Sequence, residues 1–122
     1  KDLENPDEVS LPLEGLDLPE ALQRGETQRE AAPEGSWTMR MVVSGRSEGH
    51  KQVARAAGSR AAEILVLPFV RKDGFRFWQA CFGIYSSRVL ATKAWTKAPE
   101  ALRKAFKDAL PQRLVSNPLK AP

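Results

Sequence analysis

The residues best equipped for chemistry lie between Lys72 and Ser87, in the stretch KDGFRFWQACFGIYSS. In an extended strand side chains alternate, so Phe75, Phe77, Gln79 and Cys81 share one face, and Trp78, Ala80 and Phe82 share the other. Rings on one face can stack on a flat partner, the Gln79 amide can donate and accept, and Arg76 adds a cation beside them. A strand with aromatics on both faces is either packed on both, or packed on one and binding something with the other. This is the chemistry of recognition rather than of bond breaking. The chain has one histidine, His50, and one cysteine, Cys81. It offers no carboxylate pair placed on a strand, no metal-ligand cluster and no glycine-rich phosphate loop; Gly45 and Gly49 flank a turn but lack such a pattern. The expectation is a non-enzyme, with no catalytic residue, no metal and no cofactor.

The elements that must carry this stretch follow from size and charge. The 122 residues suffice for one compact domain. No run approaches the roughly 18–20 apolar residues of a membrane span, and no signal peptide stands at the start. A chain opening on Lys1 reads as a fragment of a larger protein. One cysteine excludes an internal disulfide. The net charge of +4 hides an asymmetry: residues 1–36 hold ten acidic and three basic side chains, a net −7, and residues 37–122 hold sixteen basic and five acidic, a net +11. A basic domain behind an acidic tail favours an anionic partner.

Residues 1–36 contain no aromatic and are interrupted by Pro6, Pro12, Pro19 and Pro33. Too little apolar surface is available there to offset the ordering entropy, so an acidic, unstructured linker over 1–36 and a binding domain over 37–122 are expected. The leucines of LPLEGLDLPEALQRG are the exception. They suit a short helix from Pro19 to Arg24 that docks on a protein partner or on the domain itself.

Order is expected from Trp37. SWTMRMVVS alternates, with Trp37, Met39, Met41 and Val43 on one face and Thr38, Arg40 and Val42 on the other. Ser47 suits the cap of a helix from Glu48 to Ala57 that stops at Gly58, with His50 exposed in its first turn. Glu63 to Val70 predicts a second strand, with Pro68 marking an edge or a bulge. Asp73-Gly74 turns it into the third strand. Helices are expected over 88–98 and 100–110, ended by Pro111, with a last strand over 113–116 and a frayed tail after Pro118. The order describes an α+β fold of the split βαβ kind (βαββαβ): an antiparallel four-stranded sheet with helices on one face. The uncovered face should present Thr38, Arg40, Val42, Phe75, Phe77, Gln79 and Cys81.

The strand WTMRM, then DGFRFWQACFGIYSSRVLATKA, KAPEAL and PQRLV, resembles the SPOR (sporulation-related repeat) domain over residues 37–116. Gly83, Tyr85, Ser87 and Ala91 match that family's glycine, aromatic, capping serine and alanine-rich helix. The resemblance implies a peptidoglycan-binding module of the bacterial envelope or periplasm, linked to cell division or envelope maintenance. Such modules bind glycan strands stripped of stem peptides on the open sheet face. Its positions carry over onto Arg40, Phe77 and Gln112, and the open face and its neighbouring charge add Thr38, Val42, Phe75, Gln79 and Arg113 as candidate ligand-binding residues. Arg40 stands where the family commonly has glutamine, and Gln112 near a place where some members have tryptophan. A denuded strand carries a lactyl carboxylate on each disaccharide. Arg40, Arg76 or Arg113 can bond such carboxylates, Phe75 and Phe77 can stack on sugar faces, and Gln79 and Thr38 can bond hydroxyl and acetamido groups.

The rival reading is RNA or single-stranded nucleic acid, because RNA-recognition domains share this strand order and stack bases on third-strand aromatics. Gly74-Phe75-Arg76-Phe77 resembles part of their motif. The following alternate positions, Gln79 and Cys81, are not aromatic, and Trp37 falls with the core set, which ranks this reading second. A third is a protein-docking module of the envelope, served by the acidic leucine-containing tail.

Overall fold

The computed structural model describes residues 11–114. A 3-10 turn, Leu13–Gly15, and helix α1, Leu18–Ala31, precede strand β1, Trp37–Ser44. Helix α2, Gly49–Ala57, runs through a 3-10 stretch, Gly58–Glu63, into β2, Ile64–Val70. Strand β3, Arg76–Tyr85, helices α3, Arg88–Trp95, and α4, Glu100–Ala105, and strand β4, Leu110–Arg113, complete the order. The four strands form one antiparallel sheet, β2-β3-β1-β4. This is the split βαβ arrangement expected from the sequence, in outline common to SPOR-like and RNA-recognition-like domains.

One core joins the helices to the sheet. Met39, Met41, Ile64, Val66, Trp78, Ala80 and Phe82 from the strands meet Val53, Ala54 and Ala57 of α2, Ala91 of α3, and Ala98 and Leu102 around α4. Small residues on α2 let its backbone come close, and Trp78 anchors the loop before it by donating its indole N–H to the Arg46 carbonyl at 2.6 Å. Phe82 packs edge-on against Trp95, with ring centroids 5.9 Å apart. Ser87 caps α3 as expected, its hydroxyl accepting from the Leu90 N–H at 3.1 Å. Gly58 stops α2 with φ +58.

The acidic segment departs most from expectation. From Leu13 onward it is part of the fold. Asp17 and Glu20 form a reciprocal capping box, at 2.9 and 3.0 Å, and Pro19 lies in the first turn of α1. Leu13, Leu16 and Ala21 are buried in the common core, with Leu18 and Leu22 against it. Of the two destinations expected for these leucines, a partner or the domain itself, the structure shows the second. Gly25 brings the α1 backbone directly onto the backbone of Val66 in edge strand β2, and Gln28 donates to the Ala62 carbonyl at 3.3 Å. The expectation for residues 1–10 lies outside the described residues.

His50 also differs. It is fully buried rather than exposed, its Nε2–H donating to the Leu16 carbonyl at 2.7 Å and its ring edge-on to Trp78. The N-terminal turn covers it, which a reading of α2 alone does not anticipate. Helix α2 starts at Gly49 after Glu48, and Ser47 makes no cap.

Two register features move side chains between faces. A shift between Arg40 and Val42 pairs Arg40 with Cys81 but Val42 with Ala80 and Val43 with Gln79. Val42 therefore packs toward the helix-side core and Val43 pairs with a residue of the opposite face, the reverse of the alternation expected. Gly83 bulges within β3 at φ +75, and Tyr85 beyond it still pairs with Trp37. The last strand begins at Leu110, three residues early. It includes Pro111, which an edge strand tolerates because it need not donate on both sides. Ser116 and the tail after Pro118 lie outside the described residues. No helix among the described residues is long and apolar enough to cross a membrane.

Candidate functional site

The sheet face away from the helices is more closed than expected. Leu65, Leu67 and Cys81 form a second, small buried cluster, with Leu114 against it. Thr38, fully buried, donates its hydroxyl to the Gly83 carbonyl at 2.6 Å and is spent on the β3 bulge. Gln79 is also buried. A side-chain relay roofs this cluster. Gln79 Nε2 reaches the Pro68 carbonyl at 3.5 Å, Gln112 Nε2 donates to Gln79 Oε1 at 2.9 Å, and Arg40 donates to Gln112 Oε1 at 3.2 Å. Groups from all four strands take part. Thr38, Gln79 and Cys81 are thus satisfied within the fold rather than offered to a ligand, because buried polar groups must find internal partners.

Burial pushes the Cys81 thiol up to about 12, against the opposing pull of Arg40 and a bond with Thr38. The thiolate is the reactive form, so the folded protein should resist thiol reagents. We expect no labelling by a chromogenic disulfide at pH 8 on the timescale of a free thiol, and stoichiometric labelling in denaturant. Rapid native labelling would mean that the relay does not stay closed.

The accessible part of this face is its hairpin end. The β2–β3 turn is closed by Arg71 N–H to Phe75 O and Gly74 N–H to Arg71 O, both 2.9 Å, with Gly74 at φ +90. Asp73 accepts from the Phe75 N–H at 3.1 Å and pairs with the Arg71 guanidinium. That pairing, followed by the Phe75 N–H, holds the Asp73 carboxyl below its usual range. Arg71 is thereby oriented over two rings, 5.6 Å from the Phe75 centroid and 4.9 Å from that of Phe77. Phe75, in the turn rather than in β3, is 64% exposed. Phe77 is partly exposed, its ring beside Gly45. Arg40, partly exposed, lies 5.9 Å over the Phe69 ring. A stripe of guanidinium groups alternating with aromatic rings results.

Of the residues named from the sequence, Arg40, Phe75, Phe77 and Gln112 belong to this stripe or its support. Val42 is turned to the core. Arg113 stands apart, exposed on β4 and lining an open cleft of about 660 Å³ with Arg29, Glu30, Pro33, Glu34 and Gly35. Sequence reasoning missed Arg71 and Phe69. Phe69 continues the period-two set Leu65, Leu67, Phe69 in β2, and Arg71 sits two residues before the turn aspartate, a spacing that suits a pairing across the turn. Among the described residues no group of three or more His, Cys, Asp or Glu is placed to hold a metal.

What this arrangement can do is grip an anion bearing flat apolar surface. Guanidinium groups supply forked donors to carboxylates or phosphates, and rings supply stacking area. No family model, curated protein or solved structure matches the chain.

Proposed function

We propose that this chain is a non-catalytic binding module of the bacterial envelope that recognises denuded peptidoglycan glycan strands at the hairpin end of its sheet. The observation that carries this reading is the stack of Arg71 over Phe75 and Phe77, continued by Arg40 over Phe69. Removing stem peptides leaves a lactyl carboxylate on each disaccharide, so the ligand repeats anion and sugar face as the site repeats cation and ring. The resemblance of residues 37–116 to the SPOR family and the split βαβ sheet support the same ligand. Compared with the sequence expectation, binding shifts from the centre of the sheet to its rim, because Thr38 and Gln79 are occupied.

Retention of the protein on purified sacculi should rise after amidase treatment removes stem peptides. Phe77→Ala and Arg40→Ala should each weaken that retention about tenfold, the scale of one charge-assisted contact or one stacked ring, with an unchanged circular dichroism spectrum. Arg71→Ala should do at least as much, since it touches both rings. Folded variants that bind sacculi like the parent protein would remove the site. Failure to bind sacculi together with retention on single-stranded RNA would favour base stacking on the same rings.

A further inference from the structure

On the opposite side of the sheet, α3 turns Ala91 into the core and stacks Trp95 on Phe82, which leaves its other side outward. Val89 is 63% and Leu90 47% exposed there, although both are aliphatic. Lys93 follows one turn later on the same face, then Lys97 after the helix ends, and Arg88 opens the helix; all three cations are exposed. Residues 88–99 contain no carboxylate. None of the three cations has an ion-pair partner among the described residues. By contrast, Arg55, Lys51 and Lys104 on the other helices are each paired with a glutamate.

We infer that this face of α3 docks peripherally on an anionic lipid bilayer. Unpaired cations beside outward aliphatics combine the two elements of interfacial binding: Coulomb attraction to headgroups and shallow insertion of apolar side chains below long, snorkelling lysines. The patch spans a helix of eight residues, about 12 Å long. With a helix about 10 Å wide its area is on the order of 100 Å², far below the roughly 800 Å² per side of a stable protein interface, yet enough for a reversible contact with a surface that moulds itself to a convex helix. The inference does not depend on the glycan reading. Were both true, the sheet rim and α3 would let the domain face glycan on one side and bilayer on the other.

The test is co-sedimentation of the full chain with phosphatidylcholine vesicles, with and without phosphatidylglycerol. Partition should require the anionic lipid and fall as salt is raised. Lys93→Gln with Lys97→Gln should weaken it about twenty-five-fold, at roughly fivefold per cation. Val89→Ser with Leu90→Ser should weaken it at unchanged net charge, and Arg71→Ala on the sheet rim should leave it as it was. Val89, Leu90 and Lys93 on α3 and Lys97 just beyond it are all exposed, so the variants should keep their fold. No partition at low salt, or partition indifferent to both double substitutions, overturns the inference. Binding to soluble poly-glutamate as tight as to vesicles and insensitive to the Val89 and Leu90 changes would do the same, pointing to an acidic protein instead.

Discussion

Gly25→Ala should destabilise the protein, against the sign that helix propensity gives. In an open helix the change would add about 1 kcal/mol of stability. Here a Cβ on Gly25 would run into the carbonyl oxygen, carbonyl carbon and nitrogen of Val66. These are backbone atoms of a strand paired along its length with β3, so they cannot swing away as a side-chain end can. Overpacking of this kind costs about 1–3 kcal/mol, and an unyielding neighbour favours the upper part of that range. The net expectation is a loss of about 1–2 kcal/mol, read as a fall in Tm of about 5–15 °C. Hydrogen exchange should localise the loss. Amides of α1 and of the turn around Leu13 should exchange faster, while the β1–β3 ladder keeps its relative order of protection. Gly15→Ala, where a Cβ meets nothing within 4 Å, is the matched control. A raised Tm for Gly25→Ala would mean that α1 rides clear of β2 and that the acidic segment is only loosely attached.

That attachment is also where sequence reasoning fell shortest. The segment reads as a linker because ten acidic residues and four prolines outweigh its leucines in any average over 1–36. Folding responds to placement instead. Leu13 and Leu16 sit on one side of a tight turn, Pro19 and the Asp17–Glu20 box start the helix, and Gly25 permits close approach. By comparison, the alternation of WTMRM, the Asp73-Gly74 turn and the capping Ser87 were legible because each is a local instruction for the backbone. The split βαβ order follows from those three and the lengths between them.

The candidate site was legible in its residue types but not in its access. Period two correctly groups Phe77, Gln79 and Cys81 opposite Trp78, Ala80 and Phe82. It does not reveal that Gln112 will bridge Arg40 and Gln79, because that contact joins residues 72 and 33 positions apart. Nor does it survive a bulge: one extra residue after Arg40 exchanges Val42 for Val43. The cation–ring stack was partly visible in RKDGFRF, but Arg71 gains its orientation from Asp73, and the sequence alone leaves that pairing as one of several. The sheet face is therefore a closed polar roof with an exposed rim of cations and rings, rather than an open platform.

The second large effect is expected at Gly83, where two costs add and can be separated. Gly83 holds φ +75 inside β3, a region in which an L side chain costs about 1–2 kcal/mol. A Cβ there would also overlap the hydroxyl and ring of Tyr85, folded back over the glycine. The Tyr85 hydroxyl is buried without a hydrogen-bond partner among the described residues, and burial raises its pKa, followed by the nearby Glu63 carboxylate. Moving that ring therefore breaks packing rather than a hydrogen bond, at about 1–2 kcal/mol. Gly83→Ala should cost about 2–4 kcal/mol in all. In a Tyr85→Ala background the same change should cost only the backbone share, a coupling of about 1–2 kcal/mol between positions in direct contact. Chemical denaturation of the four proteins of this cycle measures it. A coupling near zero with the full loss intact would assign everything to the backbone, and a loss below about 1 kcal/mol would mean that β3 can pass Gly83 without the bulge. The second outcome has a consequence for binding as well. Thr38 donates to the Gly83 carbonyl, so a strand that straightened there would release Thr38 onto the sheet face, and glycan retention should then rise rather than fall.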